Sequence, residues 1–307
     1  MRAFASYILR GRVQAILVAA ASAVLALLLP LLSHISGATV ALVTLRKGYG
    51  EGMVVAAGAA LILAGVGYVS TVPFPMVHAF LASTLLLVWL PVVVTGEVLR
   101  RGRDLGRALV VAAVLACLAM VLLQLAVGDP AAWWRHMLDA VLTPMLAEAP
   151  VPLSEGDKAR LLEGLASVMS GFMGAMIVYV TMVNLFIGRW LQAMLFNPGG
   201  FRQEFQSLRL GRNAALVALA VMFLVTFGGD SLAAFGQNLL ILVVAVFAFH
   251  GLALAHAVVA MLGANRVWLV ALYVLLLFLP LQAMMALSAA GFADSWVDFR
   301  SRLRKRQ

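Results

Sequence analysis

Residues 108–127 read ALVVAAVLACLAMVLLQLAV, a run without a single charge. A helix needs about 20 apolar residues to cross the ~30 Å hydrocarbon layer of a bilayer. This stretch meets that length. Its apolar residues are continuous and rich in Leu, Ala and Val, whereas a barrel strand alternates apolar and polar positions. Backbone groups in lipid have no water to bond, so a continuous run of this kind satisfies itself as a helix.

Working outward, eight further apolar segments appear, at 13–33, 35–45, 53–71, 76–96, 166–188, 213–229, 238–262 and 267–290. The expected fold is therefore all-α: a polytopic transmembrane helix bundle of eight to nine segments, with one or two interfacial amphipathic helices. It forms a single membrane domain over 1–307. Within it lie a first helical group (1–127), an external amphipathic segment (128–165), a second helical half (166–290) and a basic tail (291–307). Composition agrees: 64% of residues are hydrophobic and 11% charged, against about 25% charged in soluble domains. So few charges cannot cover a water-facing surface.

The formal charge of +9 reads as a topology signal and not as a nucleic-acid surface. Arg46 and Lys47 form one cluster, Arg100, Arg101, Arg103 and Arg107 a second, and Arg189, Arg202, Arg209 and Arg212 a third. The alternate linkers carry almost none. The positive-inside rule places the basic linkers in the cytoplasm of a bacterial inner membrane, with the N-terminus inside. The stretch from Val13 to Leu32 is too long for the apolar core of a signal peptide and reads as a retained first helix. Cys117 is the lone cysteine, so no disulfide forms within the chain.

Two features strain this scheme. Ile35–Leu45 reaches only about 17 Å as a helix, which calls for a short or broken helix covered by the bundle. Nine crossings from an inside start also leave the C-terminus outside. Yet the tail carries Arg300, Arg302, Arg304, Lys305 and Arg306, which favours an inside tail and eight true crossings.

Between the halves, Asp129-Pro130 is a helix start. Trp133, Met137, Leu138, Val141 and Leu142 share one side of that helix, which is expected to lie flat on the outer surface until Pro144, Pro150 and Pro152 break it. Ser154 and Asp157 form a capping box for the next helix. Over 200–210, Phe201, Phe205 and Leu208 make an apolar stripe beside Arg202 and Arg209. This predicts a membrane-interface helix with its arginines at the headgroups.

Polar residues inside apolar segments are costly and tend to be functional or paired. His78, Gln124, His250 and Gln282 come from four segments, at the middle or outer half of the bilayer. They are candidate ligand-binding residues if they converge on an outward-facing cavity; otherwise each acts as glue between helices. His250 and His256 are six apart, about 120° around a helix, and so are not expected to share a metal. Asp298 is expected to pair with Arg302 one turn later, on a solvated or headgroup-binding tail. No zinc-protease, nucleophile-elbow or Walker motif is present, so no enzyme activity, cofactor or metal is expected. Gly48-Tyr49-Gly50-Glu51-Gly52 reads as a tight cytoplasmic turn.

HISGATVALVTLRKGYGEG (34–52), NPGGFRQEFQSLRLG (197–211) and GFADSWVDFRSRLR (291–304) together resemble the YybS-like family of predicted bacterial membrane proteins, a family without an assigned function. The first third is also distantly similar to the S components of energy-coupling-factor vitamin transporters. That resemblance implies an Ala-xxx-Ala ridge for a transmembrane partner, supplied here by Ala15, Ala19 and Ala23.

Two functions fit these observations. One is a solute-binding transporter subunit with an outward-facing pocket for a small-molecule ligand. The other is a membrane assembly or scaffold factor that moves nothing. The expected partners are membrane lipid and a transmembrane protein, with no nucleic acid.

Overall fold

The computed structural model describes residues 1–70, 73–148 and 154–304. Among these the chain is helical throughout: α1 (Arg2–Leu9), α2 (Arg12–Leu25), α3 (Leu32–Lys47), α4 (Tyr49–Val69), α5 (Phe74–Ser83), a π-helix (Thr84–Trp89), α6 (Leu90–Gly102), α7 (Leu105–Val127), α8 (Pro130–Ala147), α9 (Glu155–Phe196), α10 (Gly200–Ser207), α11 (Arg212–Phe227), α12 (Gly229–Met261), α13 (Val267–Phe278), α14 (Pro280–Val297) and α15 (Phe299–Arg304). Five helical stretches among the described residues are long and apolar enough to cross a membrane, and up to seven if each of two bent pairs is one span.

Several segments differ from their sequence reading. The short 35–45 segment is part of an unbroken 16-residue helix, whose first turns are held by the polar partners of Ser33, His34 and Ser36. The last apolar segment divides into α13 and α14 at Leu279, where Pro280 opens a new helix. Pro144 lies inside α8 without ending it; Pro150, Pro152, Lys305 and Arg306 lie outside the described residues. Asp129 caps α8 by accepting from the Ala132 amide (3.1 Å), and Ser154 caps α9 by accepting from that of Asp157 (3.1 Å). Helix α8 runs against the first part of α9, where Trp134 donates to Ser170 (3.0 Å) and Lys158 reaches Asp139 (3.8 Å).

Helix α9 organises the molecule. Its 42 residues extend about 63 Å at 1.5 Å per residue, and it packs on α3, α6, α7, α8 and α12. One core gathers α1–α6 around Trp89, Leu42 and Val55, and the other gathers α7, α9, α11 and α12 around Leu109, Met182 and Leu185. Polar contacts knit the first core. Trp89, at the end of the π-helix, donates to the Ser36 hydroxyl (3.1 Å), which donates to the Ala19 carbonyl (2.8 Å). His34 Nδ1 meets Asn184 Oδ1 at 2.8 Å. In the second core, Asn238 accepts from the Gly171 amide (2.6 Å) and donates to the Ser167 carbonyl (2.8 Å), spanning one turn of α9. Where α12 crosses α14, a Cβ on Gly291 would sit 2.5 Å from the Phe247 carbonyl oxygen, so the helices meet backbone to backbone. Leu61, Val114, Leu125, Val217, Phe223 and Phe278 stand exposed, an apolar surface suited to lipid.

The ends of the bundle differ in charge. Gln192 donates to the Leu45 carbonyl, the Arg209 backbone lies against Gly106, and Arg300 donates to the Leu208 carbonyl. The three basic linkers and the tail therefore share one end. The other end carries Asp129, Asp139, Glu148, Glu155, Asp157 and Glu163 against Arg135, Lys158 and Arg160.

Candidate functional site: the basic end of the bundle

The turn between α3 and α4 is made by Gly48, whose φ of 97° falls where a side chain is strained. The turn exposes the first amides of α4. The Tyr49 amide donates to Glu97 Oε2 (3.0 Å) on α6. The other oxygen of Glu97 takes Arg100 (3.1 Å) and Arg101 (2.6 Å). Glu97 is buried, so its role exceeds helix-surface pairing: it ties α6 to the α3–α4 turn and holds two guanidinium groups over it. On the facing side, Arg12 at the start of α2 grips Glu51 in a fork, at 3.0 and 2.5 Å.

These groups line a shallow, open cavity of ≈ 560 Å³ whose rim includes Arg12, Lys47, Arg100, Arg101, Glu51 and Glu97. Four cations face two carboxylates, and arginines already engage both carboxylates. The surplus is positive and includes Lys47. Such a lining favours an anion with several oxygens, because guanidinium groups present paired donors that match phosphate or carboxylate geometry.

The rest of the basic end is built from α10, its flanks and the tail. Arg189 on α9 holds Glu204 in a fork, with Nε to Oε2 at 2.7 Å. Phe201 and Phe205 pack on Phe186, with ring centroids 5.8 and 5.3 Å apart. A helix forms where the interface helix is expected, but it stops at Ser207. Leu208 and Arg209 lie beyond its end. Leu208 is buried, Arg202 is exposed, and Arg209 donates to Asp298 (2.8 Å) instead of lying free at the headgroups. Asp298 therefore takes Arg209 in place of the expected Arg302. Its carboxyl is held below the usual range by the Ser301 hydroxyl, against the upward push of burial and with help from the Ser301 amide and Arg209. Arg300 is buried, donating to the carbonyls of Gln206 (3.0 Å) and Leu208 (2.9 Å) and lying 3.6 Å from Asp294.

The four candidate ligand-binding residues do not converge. His78 is exposed on α5. Gln124 turns back to the Gly128 carbonyl at the end of its own helix (2.6 Å). His250 is buried against Asp294 (3.0 Å). Gln282 is exposed on α14. None lines the cavity above or a second one between α10, α12 and α13. Gln124 bonds within its own helix end, one turn away, whereas His250 Nε2 meets a carboxylate 44 residues away that local spacing does not show, and its buried Nδ1 has no hydrogen-bond partner among the described residues. Ala15, Ala19 and Ala23 do form a ridge, but all three are buried against α3 and α4 of the same chain. The ridge is occupied from within. His256 uses both ring nitrogens, on the Leu252 carbonyl (2.9 Å) and the Tyr273 hydroxyl (3.2 Å). Sequence reasoning missed Glu51, Lys47 and Arg12 as parts of one site. The signal available was the glycine-rich turn flanked by charge.

Residues 155–295 match the family described as "Predicted membrane protein (DUF2232)". This chain is an integral membrane protein. The match spans α9 to α14 and includes Arg189, Asn238, His250 and Asp294. No curated protein and no solved structure matches the chain.

Proposed function

We propose that this multi-pass protein of the bacterial inner membrane binds an anionic ligand, bearing phosphate or clustered carboxylates, at its basic end. The single observation that carries the reading is the ≈ 560 Å³ cavity with Arg12, Lys47, Arg100 and Arg101 at its rim. By the positive-inside rule that end is cytoplasmic, and the N-terminus with it. The ligand-binding subunit is thus retained, with its pocket at the inner end and not facing outward. The YybS-like resemblance belongs to this proposal. Of the stretches that carry it, 197–211 lies within the matched residues and 291–304 begins there. The buried alanine ridge gives no support to docking in the manner of an S component.

Isothermal titration of the full chain in zwitterionic-lipid nanodiscs, with pyrophosphate as probe, tests the reading. Each of Lys47→Ala and Arg12→Ala should weaken binding about tenfold, the loss of one charge-assisted contact. Lys158→Ala at the opposite end should leave it unchanged. Absence of pyrophosphate binding, or equal loss in all three variants, overturns it. A second reading then takes its place: a non-transporting assembly or scaffold factor. The scatter of His78, Gln124, His250 and Gln282 favours that alternative.

A further inference from the structure

A second cavity of ≈ 370 Å³ lies between α10, the end of α12 and α13. Its polar wall carries Arg202, Gln206 and Arg266, and its apolar wall carries Phe205, Val259 and Leu269. His256 is also in the lining but spends both nitrogens on Leu252 and Tyr273. Arg202 and Arg266 are exposed, and neither pairs with a carboxylate among the described residues. Two unneutralised guanidinium groups at one cavity call for an anion. Directly beside it, Leu262, Val267, Trp268 and Val270 are more than half exposed. Side chains of that kind belong in hydrocarbon. The cavity therefore sits where a basic rim meets a lipid-facing surface.

We infer that this cavity is a binding site for an anionic phospholipid, whose phosphate lies between Arg202 and Arg266 and whose acyl chains run down the exposed face of α13. A soluble phosphate would satisfy the arginines but not the apolar wall; a neutral lipid would satisfy the wall but leave the cations uncompensated. The amphiphile matches both. The site is separate from the cavity between α2, α4 and α6 and does not depend on the reading proposed for it.

Native mass spectrometry of the full chain, released from detergent with added phosphatidylglycerol or phosphatidylcholine, tests the inference. The wild type should retain one phosphatidylglycerol with about a thirtyfold preference over phosphatidylcholine, the combined effect of two arginines near a headgroup. Each of Arg202→Ala and Arg266→Ala should cut the preference about fivefold, and the double variant should abolish it. Ala260→Trp, which fills the cavity and leaves both arginines, should lose the lipid as well. Thermal melts establish that each variant is folded, and Lys47→Ala should keep the preference. Equal retention of the two lipids by the wild type overturns the proposal, as does a preference that survives in the double variant. Displacement of phosphatidylglycerol by inorganic phosphate also overturns it, by assigning the site to a soluble anion.

Discussion

Arg300 shows how far a residue's local pattern can mislead. Among Arg302, Arg304 and their neighbours it looks like one more solvated cation. In the fold it is buried, with the main-chain carbonyls of Gln206 at the end of α10 and Leu208 just beyond it, and the Asp294 carboxylate, around it. The two carbonyls lie more than 90 residues away, so no periodicity could reveal them. Breaking a buried pair by removing one partner costs about 3–5 kcal/mol, since the remaining charge stays buried. Arg300→Ala should therefore unfold at a markedly lower temperature than wild type, whereas the exposed Arg202→Ala should melt like wild type. Equal melting of the two variants would show that the tail contact contributes nothing. Asn238 makes the same point more mildly. It replaces no helix bond of its own but spans one turn of α9, and Asn238→Ala should cost about 1–3 kcal/mol of stability through the polar groups it leaves behind. A chemical-denaturation series reads that difference directly, and an unshifted midpoint would count against the bridge.

At the scale of elements, legibility tracked how local the cause was. The caps at Asp129 and Ser154, the apolar run of α7 and the amphipathic start of α10 were readable, because each depends on residues within one or two turns. The extent of α3 was not. Its polar first turn looks like the end of a membrane segment until the Asn184 side-chain oxygen and the Ala19 carbonyl of other helices accept hydrogen bonds from it. The four scattered polar residues illustrate the converse: sequence assigns each a membrane depth, but depth does not bring helices together. Crossing geometry does, and it depends on small residues whose partners are remote. Gly291 is the sharpest case. A side chain there would meet the Phe247 carbonyl and the Gly251 amide, so Gly291→Val must push α14 off α12. Overpacking of this kind costs about 1–3 kcal/mol, and the tail held by Asp294 should loosen with it. Faster proteolysis after Arg302 or Arg304 in Gly291→Val is the expected result, with Gly164→Val, a position in open space, cut at the wild-type rate. Equal cutting of both would mean that the crossing tolerates a side chain.

For the whole molecule, the controlling property is the separation of charge between its two ends. Arg46, Lys47, Arg100 to Arg107, Arg189 to Arg212 and Arg300 converge on one end through direct contacts, although they are spread over most of the chain. The convergence also bears on the tail: Asp298 and Arg300, held by Arg209 and Leu208, lie beside the basic linkers, so this part of the tail shares their side of the bundle. The cytoplasmic location proposed for the basic end, drawn from the positive-inside rule, is open to a direct measurement. In a Cys117→Ser background, single cysteines at Ala147 and Ser207 mark the two ends. Ala147 closes α8 at the acidic end, and Ser207 closes α10 at the basic end. A membrane-impermeant maleimide added to intact spheroplasts should label Ala147→Cys efficiently and leave Ser207→Cys unlabelled until the membrane is permeabilised. The reverse pattern would invert the molecule and place the basic cavity outside. Labelling of both residues in sealed spheroplasts would mean that the two ends do not lie on opposite sides of the membrane, and the bundle would then have to be embedded along a different axis.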